Sequence, residues 1–372
     1  MTASPLIALA AGGTGGHMFP AEALAQELKR RGRRVLLVTD ARGDRYAANF
    51  PADEKFLISA ASPSIGGPIA KAAAAASLAG GLMKVMGAFG RLRPAAVVGF
   101  GGYPSFPAMR AAAMLKIPHG VHEQNGVLGR ANRLSIGSAA FLAHGFPVLE
   151  KAPDRPKASV VEVGNPVRDA VRDAARTPFA APVQGGAVNL LVFGGSQGAA
   201  LFSTVVPTAI AALPEALRRR LAITQQAREG EVDAVANAYR AAGVTAELAP
   251  FFRDLPARIA AAHLVIARAG ASTITELSMI GRPSILVPLA IAMDDHQTGN
   301  ARALSDAGGA VRIAESDFTP ARLAEALTPL LEDAGRLAAM AAAAKGRVKA
   351  EAASALADLV DGIAGQARKD AA

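Results

Sequence analysis

Apolar residues in this chain come in short unbroken runs, and several of the runs stop on glycine. "LIALAAGG" (6–13), "AAVVGFGG" (95–102), "VNLLVFGG" (188–195) and "HLVIARAG" (263–270) share that form. "RRVLLVTD" (33–40) and "RPSILVPL" (282–289) are similar runs without the final glycine. Continuous Val, Ile and Leu predict strands buried on both faces, as in parallel sheets. Helical patterns lie between them. "PAEALAQELKRRG" (20–32) opens on proline and closes on basic residues and glycine, the order expected of a helix. "STITELSMIGRP" (272–283) sets Thr273 and Glu276 at capping-box spacing, with Gly281 and Pro283 as a stop. "DFTPARLAEALTPLLEDAGRL" (317–337) places Thr319 at the N-cap and Pro320 at the first helical position. Alternating strand and helix predicts an α/β chain built on doubly wound parallel sheets.

Two glycine turns are counterparts, "LAAGGTGGH" and "LVFGGSQGA", each opening one domain. The stretch 161–189 between them is rich in Pro, Gly and charge and reads as the linker. The expected organisation is a first domain over 1–164, a second over 165–340, and strandless Ala-rich helices over 341–372. A length of 372 residues, too long for one ordinary core, agrees with two domains.

The chain has no cysteine, which excludes disulfides, thiolate metal sites and cysteine nucleophiles. A net charge of +9 suits an acidic partner: nucleic acid, an anionic membrane surface or a phosphorylated substrate. A compositional bias toward Arg and Ala explains it equally well. Aromatics make up 5% of the chain, too few for a base-stacking surface, and no DNA-reading motif is present, so nucleic acid is not expected. The apolar start, Leu6 to Ala11, lacks the basic lead of a signal peptide. The longest bland stretch, "AAAAASLAGGLM" (72–83), is shorter than the ~20 residues that span a bilayer, so no crossing is expected. From Ile65 to Arg93, Leu78, Leu82, Met83, Val85, Met86 and Phe89 accompany Lys71, Lys84, Arg91 and Arg93. Such a stretch is either a core helix with snorkelling lysines or a patch for an anionic leaflet.

A glycine turn between a parallel strand and a helix aims free N–H groups along the positive end of the helix dipole, which makes an anion site. The alternative is close strand–helix packing without a ligand. Neither a P-loop nor a G-x-G-x-x-G fingerprint occurs, which removes the P-loop NTPases and weakens a dinucleotide dehydrogenase. No Asp-x-Asp is present to clamp a nucleotide diphosphate through a metal.

Seven motifs in order, "GGTGGH" (12–17), "GFGGYPS" (99–105), "HEQN" (122–125), "GNPVR" (164–168), "FGGSQGA" (193–199), "RAGASTITE" (268–276) and "DDHQTGNA" (294–301), resemble the MurG family of bacterial N-acetylglucosaminyltransferases. The resemblance implies a GT-B fold: two Rossmann-like domains facing a cleft, the C-terminal helix returning to the first. It implies transfer of GlcNAc from UDP-GlcNAc to the C4 hydroxyl of MurNAc in undecaprenyl-pyrophosphoryl-MurNAc-pentapeptide, with inversion and with no cofactor or tightly bound metal. It implies a peripheral enzyme on the anionic cytoplasmic surface of the bacterial membrane, and admits other cell-wall synthesis proteins as partners. By motif, the second domain takes the nucleotide. Ser196 and its glycine neighbours would hold the diphosphate, Arg168 would reach the nucleotide, and the backbone at Phe252 would meet uracil. Ala271, Ser272, Thr273, Ile274 and Thr275 would lie by the phosphates, Glu276 on the ribose, and His296 and Gln297 on the GlcNAc hydroxyls. From the first domain, Thr14, Gly15, Gly16 and Asn125 would meet the donor sugar, while Gly13, Gly101, Gly102 and Tyr103 would cradle the acceptor pyrophosphate. The family usually has His-Gln where this chain has Gln225-Gln226.

The residues themselves leave several roles open. His17 suits a general base, a phosphate or sugar contact, or a structural part. Glu123 is the other candidate base; the alternative is a carboxylate paired with Arg130 or Arg133. Glu276 is explained by its capping-box spacing unless a ribose competes for it. Asp294 and Asp295 fit a helix N-terminus better than a metal site. Two rival functions remain: a UDP-GlcNAc 2-epimerase on the same frame, and a non-catalytic nucleotide or nucleic-acid binder.

Overall fold

A computed structural model of the chain describes residues 4–60, 67–154, 156–195, 198–292 and 295–369. The chain forms two compact units, Met1–Arg168 with Lys349–Ala372, and Asp169–Val348. In the first, strands β1 (Leu6–Ala10), β2 (Arg34–Thr39), β3 (Glu54–Leu57), β4 (Ala96–Gly99), β5 (His119–Glu123), β6 (Phe141–His144) and β7 (Ser159–Glu162) form one sheet in the order β3-β2-β1-β4-β5-β6-β7. All its pairings are parallel. Its helices are α1 (Gly15–Arg30), α2 (Ala41–Asp44), α3 (Pro68–Leu92), α4 (Ser105–Met114) and α5 (Arg130–Ser135).

The second unit begins with α6 (Asp169–Ala174). Its parallel sheet has the order β10-β9-β8-β11-β12-β13, from β8 (Val188–Phe193), β9 (Leu221–Gln226), β10 (Ala246–Ala249), β11 (Leu264–Ala267), β12 (Ser284–Leu286) and β13 (Ala310–Arg312). Around it lie α7 (Ala200–Ala212), α8 (Glu215–Arg218), α9 (Val232–Ala241), α10 (Leu255–Ala261), α11 (Ala271–Ile280), α12 (His296–Ser305), α13 (Pro320–Glu332) and α14 (Ala334–Ala344). A last helix, α15 (Ala352–Lys369), belongs to the first unit.

Both faces of the first sheet are covered, which is why β1 reads as unbroken apolar sequence. Ile7 and Leu9 pack with Met18, Leu24 and Leu28 of α1 and with Leu356 and Val360 of α15. Leu6, Ala8 and Ala10 face Val85 and Phe89 of α3 and Ala108 and Met109 of α4. Burying side chains such as Leu356 and Val360 is worth about 1.5–3 kcal/mol each. The polar edge of the α1–α15 seam is Arg31, which pairs with Asp358 at 2.7 Å and Asp361 at 3.1 Å.

Several local expectations change. Helix α1 starts at Gly15, with Thr14 as its N-cap, so Pro20 lies inside it. Helix α11 is capped by Gly270 without a side-chain bond, so Thr273 is its third residue and the capping box is not formed. Thr319 does cap α13, accepting from the Arg322 amide at 3.2 Å. Of the C-terminal stretch 341–372, residues up to Val348 stay with the second unit, because Leu337, Met340 and Ala344 of α14 are buried there. Helix α3 has 25 residues and is long and apolar enough to cross a membrane by length and composition, unlike the shorter run seen in the sequence. Lys84 and Arg91 do not interrupt its core-facing side, where Val85 and Phe89 are buried. Those residues hold its last turns in the folded unit as the crossover from β3 to β4.

A buried polar cluster closes the linker side of the first unit. His122 Nε2 donates to the Gly164 carbonyl at 2.9 Å, and Gln124 Nε2 donates to His122 Nδ1 at 3.2 Å. Burial pulls His122 down to about 4, against the raising effect of the Gly164 carbonyl. The unfolded ring, near 6.5, binds protons that the folded ring refuses, so its contribution is complete above pH 6.5 and falls as pH drops toward 4. About 2 kcal/mol should be lost between pH 7 and pH 5. Urea unfolding at the two pH values checks this, and the loss should shrink in His122→Gln.

Candidate active site

The order of strands in each sheet changes direction at one point: between β1 and β4 in the first unit, and between β8 and β11 in the second. Ligands of doubly wound sheets bind outside the C-terminal strand ends at such points. The glycine turns that follow β1, β4, β8 and β11 stand at these two positions.

In the first unit the β1 and β4 turns touch. A Cβ on Gly102 would lie 2.9 Å from the Gly12 carbonyl, and φ there is +72°, so only glycine fits. The imidazole of His17 packs on the same turn: its Nε2 is 3.3 Å from the position of a Gly101 Cβ. Thr14 has N-cap backbone geometry but does not cap; its Oγ1 lies 3.3 Å from His17 Nδ1. The Gly15 and Gly16 amides are therefore left without an intrahelical carbonyl at the positive end of α1. Gly13 is different, since its amide donates to Asp40 Oδ1 at 2.9 Å and is not offered to a ligand. Tyr103 is half-buried, and Ser105 closes its turn by donating its hydroxyl to the Gly102 carbonyl at 2.9 Å.

Glu123 is buried and engaged. Its Oε1 accepts from the Asn125 amide at 3.0 Å and Asn125 Nδ2 at 3.1 Å. Its Oε2 accepts from the Gly129 amide at 2.9 Å and from Asn132 Nδ2 at 2.7 Å. Neither the expected base role nor pairing with Arg130 or Arg133 describes these bonds; the carboxylate ties the "HEQN" turn to the start of α5. Asn132 was not singled out by the motif, yet it links the Glu123 turn to the β4 turn, because its Nδ2 also lies 3.3 Å from the Gly101 Cβ position. The guanidinium of Arg168 stacks on Phe19 of α1 at 3.8 Å.

In the second unit, Gly194 lies so close to the Ala199 amide that no Cβ can enter. The Gly194 amide donates to Gln226 Oε1 at 3.0 Å, and Gln226 Nε2 donates to the Pro250 carbonyl at 3.0 Å, which fixes the β8 turn against the Phe251–Phe252 loop. Phe252 is buried beneath the Arg258 guanidinium, 4.4 Å from the ring centre. Ser196 and Asp294 lie outside the described residues.

At the β11 turn, Ala271, Ser272 and Thr273 occupy the first turn of α11, where amides have no intrahelical acceptor. The Ile274 amide donates to the Gly270 carbonyl and its side chain is fully buried. Thr275 Oγ1 donates to the Ala271 carbonyl at 2.8 Å, and Glu276 is buried in the same helix. His296 opens α12 and is half-buried. Gln297 Oε1 accepts from the Ala269 amide at 3.2 Å and the Leu289 amide at 3.0 Å. Arg268, also unforeseen, pairs with Glu315 at 2.6 Å. Burial works to raise the Glu315 carboxyl, but the Ala290 amide and Arg268 outweigh it and hold it below its usual range. Among the described residues no three His, Asp or Glu side chains are grouped to hold a metal ion.

Residues 7–141 match the glycosyltransferase family 28 N-terminal domain, and residues 189–359 its C-terminal domain. The chain is 51% identical, over 98% of its length and 96% of the relative's, to a Rhodospirillum centenum protein named UDP-N-acetylglucosamine--N-acetylmuramyl-(pentapeptide) pyrophosphoryl-undecaprenol N-acetylglucosamine transferase. It is also 51% identical to the Methylobacterium nodulans protein of that name, over 96% of both chains. The crystal structure of Acinetobacter baumannii MurG superposes with a TM-score of 0.73 at 30% identity, over 96% of this chain and 99% of that one. The chain belongs to the MurG family. Its fold is GT-B, two Rossmann-like parallel-sheet domains. The UDP-GlcNAc 2-epimerase of Neisseria meningitidis, 13% identical with a TM-score of 0.64 over 95% of this chain and 98% of that one, shares the fold alone.

One departure from the MurG pattern is explained by packing. Gln225, in place of the usual histidine, is fully buried, accepts from the Tyr239 hydroxyl and donates to the Phe202 carbonyl at 3.3 Å. It is a core residue beneath the β8 turn.

Proposed function

We propose that this chain transfers GlcNAc from UDP-GlcNAc to the C4 hydroxyl of MurNAc in undecaprenyl-pyrophosphoryl-MurNAc-pentapeptide, inverting the anomeric carbon. One observation carries the reading. In a chain half identical to relatives named for that transfer, glycine turns stand at the switch point of each sheet.

The second unit takes the donor. The β8 turn with Ser196 receives the diphosphate, and the first-turn amides of Ala271, Ser272 and Thr273 add positive helix potential. Phe252 contributes its backbone to uracil, Glu276 meets the ribose, Arg168 reaches the nucleotide, and His296 with the Gln297 amide group meets GlcNAc. The first unit takes the acceptor. Gly101, Gly102 and Tyr103 receive its pyrophosphate, while Thr14, Gly15, Gly16 and Asn125 approach the transferred sugar. His17 Nε2 removes the C4 proton when Nδ1–H donates to Thr14. The C4 oxygen then attacks, and the electron pair of the breaking C–O bond goes to the β-phosphate of UDP, where amides and cations stabilise it. No metal or cofactor takes part. Labelled GlcNAc should pass to a lipid I analogue at the same rate in EDTA as without it; dependence on added divalent metal, or turnover of UDP-GlcNAc without acceptor, would count against this reading.

Charge and exposure support a membrane-facing first unit. Its residues include 23 Lys and Arg against 14 Asp and Glu, while the second unit has 17 of each, so the whole +9 belongs to the first unit. A compositional bias would be shared by both units. On the same unit, Gly81 of α3 packs on the Ser59 carbonyl and Pro107, just past β3 and at the start of α4. The turns of α3 before Gly81 lie on the side of the unit where β3 ends. Ile69 there is 88% exposed, and Met83 follows at 74%. The enzyme would thus sit peripherally on the anionic cytoplasmic face. Lys71→Gln with Lys84→Gln should weaken binding to phosphatidylglycerol vesicles about thirtyfold, at about 1 kcal/mol per charge. Co-sedimentation at low and high salt checks this; equal binding of both proteins would contradict it.

A further inference from the structure

A nucleoside diphosphate leaving without a metal needs cations, and two arginines near the donor turns are committed elsewhere. Arg268 is bound to Glu315 and to the carbonyls of Val287 and Pro288. Arg258 pairs with Glu247 and Asp254.

Arg228 differs. It follows β9, the strand beside β8, so its turn neighbours the β8 glycine turn. Its Cγ lies 3.4 Å, and its Nε 4.0 Å, from the position a Cβ on Gly198 would occupy. Gly198 has φ +68°, and its bare Cα is the surface on which the arginine stem rests. The side chain is exposed, and among the described residues it forms no ion pair. The nearby Glu231 carboxylate accepts instead from Ser203 Oγ at 2.7 Å. The first unit repeats the placement with one difference. Arg42, in α2 just after β2, has its Nη2 3.8 Å from the Gly13 Cβ position, but it is paired with Asp40 at 2.9 Å.

We infer that Arg228 binds the diphosphate of the donor nucleotide and neutralises the charge that grows on UDP as it leaves. This deepens the donor-site reading above and rests on it. A guanidinium fork matches two phosphate oxygens at once, and the contact strengthens as the β-phosphate gains the electron pair of the breaking glycosidic bond. Of the stretch "QQAR" (225–228), Gln225 packs the core, Gln226 fixes the turn, and Arg228 faces the ligand.

Calorimetric titration of the full chain with uridine and with UDP tests this, using wild type, Arg228→Ala and Arg228→Lys. In Arg228→Ala the preference for UDP over uridine should fall about tenfold, or ~1.4 kcal/mol, while uridine affinity stays within about twofold of wild type. Arg228→Lys should retain part of the preference, because it keeps the charge and loses the fork. An unchanged preference in Arg228→Ala overturns the inference, as does an equal loss for both ligands, which marks a structural role. A wild-type protein with no preference for UDP defeats the donor-site reading itself, a result separable from either variant outcome.

Discussion

Replacing His17 by alanine should lower kcat for GlcNAc transfer by about 10²–10⁴-fold, the usual worth of a positioned general base, and leave UDP affinity unchanged. The ring has the required setting. It lies in the first turn of α1, against the β4 turn, with Thr14 Oγ1 beside its Nδ1. If Nδ1 donates to Thr14, Nε2 keeps its lone pair and faces the turn proposed for the acceptor. The opposite tautomer would turn Nε2 into a donor. Thr14→Val, which cannot accept, should therefore lower kcat as well, by less than His17→Ala. The acid limb of the wild-type kcat profile should disappear in His17→Ala. A His17→Ala rate within about tenfold of wild type would end this assignment.

Glu123 supplies the contrast. Two backbone amides and two asparagine side chains already donate to it, so protonating it would break bonds that hold the turn. In Glu123→Gln an NH₂ group replaces an oxygen that only accepts. The expected result is a loss of about 1–3 kcal/mol of stability, with the acid limb of the rate profile retained. A base would behave the other way round, losing the limb and keeping its stability.

The strands and their terminal glycines were legible because a strand buried on both faces must be apolar throughout, and a phosphate-sized approach to the backbone demands glycine. Function was legible through seven short motifs in order. What could not be read was partnership between distant positions. Glu123 meets Gly129 and Asn132 only after the chain turns into α5. Arg168 stacks on Phe19, a residue from the opposite end of the first unit's N-terminal segment. Pro20 misled for a different reason: proline favours a first helical position, but here Thr14 takes the N-cap backbone geometry and the helix opens earlier. Thr273 and Glu276 had the right spacing on a helix that begins at Ala271.

Arg282→Ala should destabilise the second unit by about 3–5 kcal/mol, because it leaves several buried carbonyls without donors. Arg282 is 1% exposed. Its guanidinium donates to the Ala260 carbonyl at the end of α10, to the Ile280 and Gly281 carbonyls at the end of α11, and to Thr177 on the segment after α6. Among the described residues no carboxylate pairs with it; the acceptors are carbonyls at the negative ends of two helices. Burial draws its pKa below the ordinary arginine value. Its usual value is so high that the cation persists at every working pH. Removing it strands several carbonyls, each costing about 1–3 kcal/mol when unsatisfied. Arg282→Met restores bulk without donors and should recover little, whereas Arg282→Lys should recover part. The melting transition carrying the second unit should fall by roughly 10–15 °C. Scanning calorimetry with and without UDP identifies that transition, since the nucleotide should raise it alone. A shift below about 3 °C in Arg282→Ala would mean that water satisfies those carbonyls and that the arginine is dispensable to the helix ends.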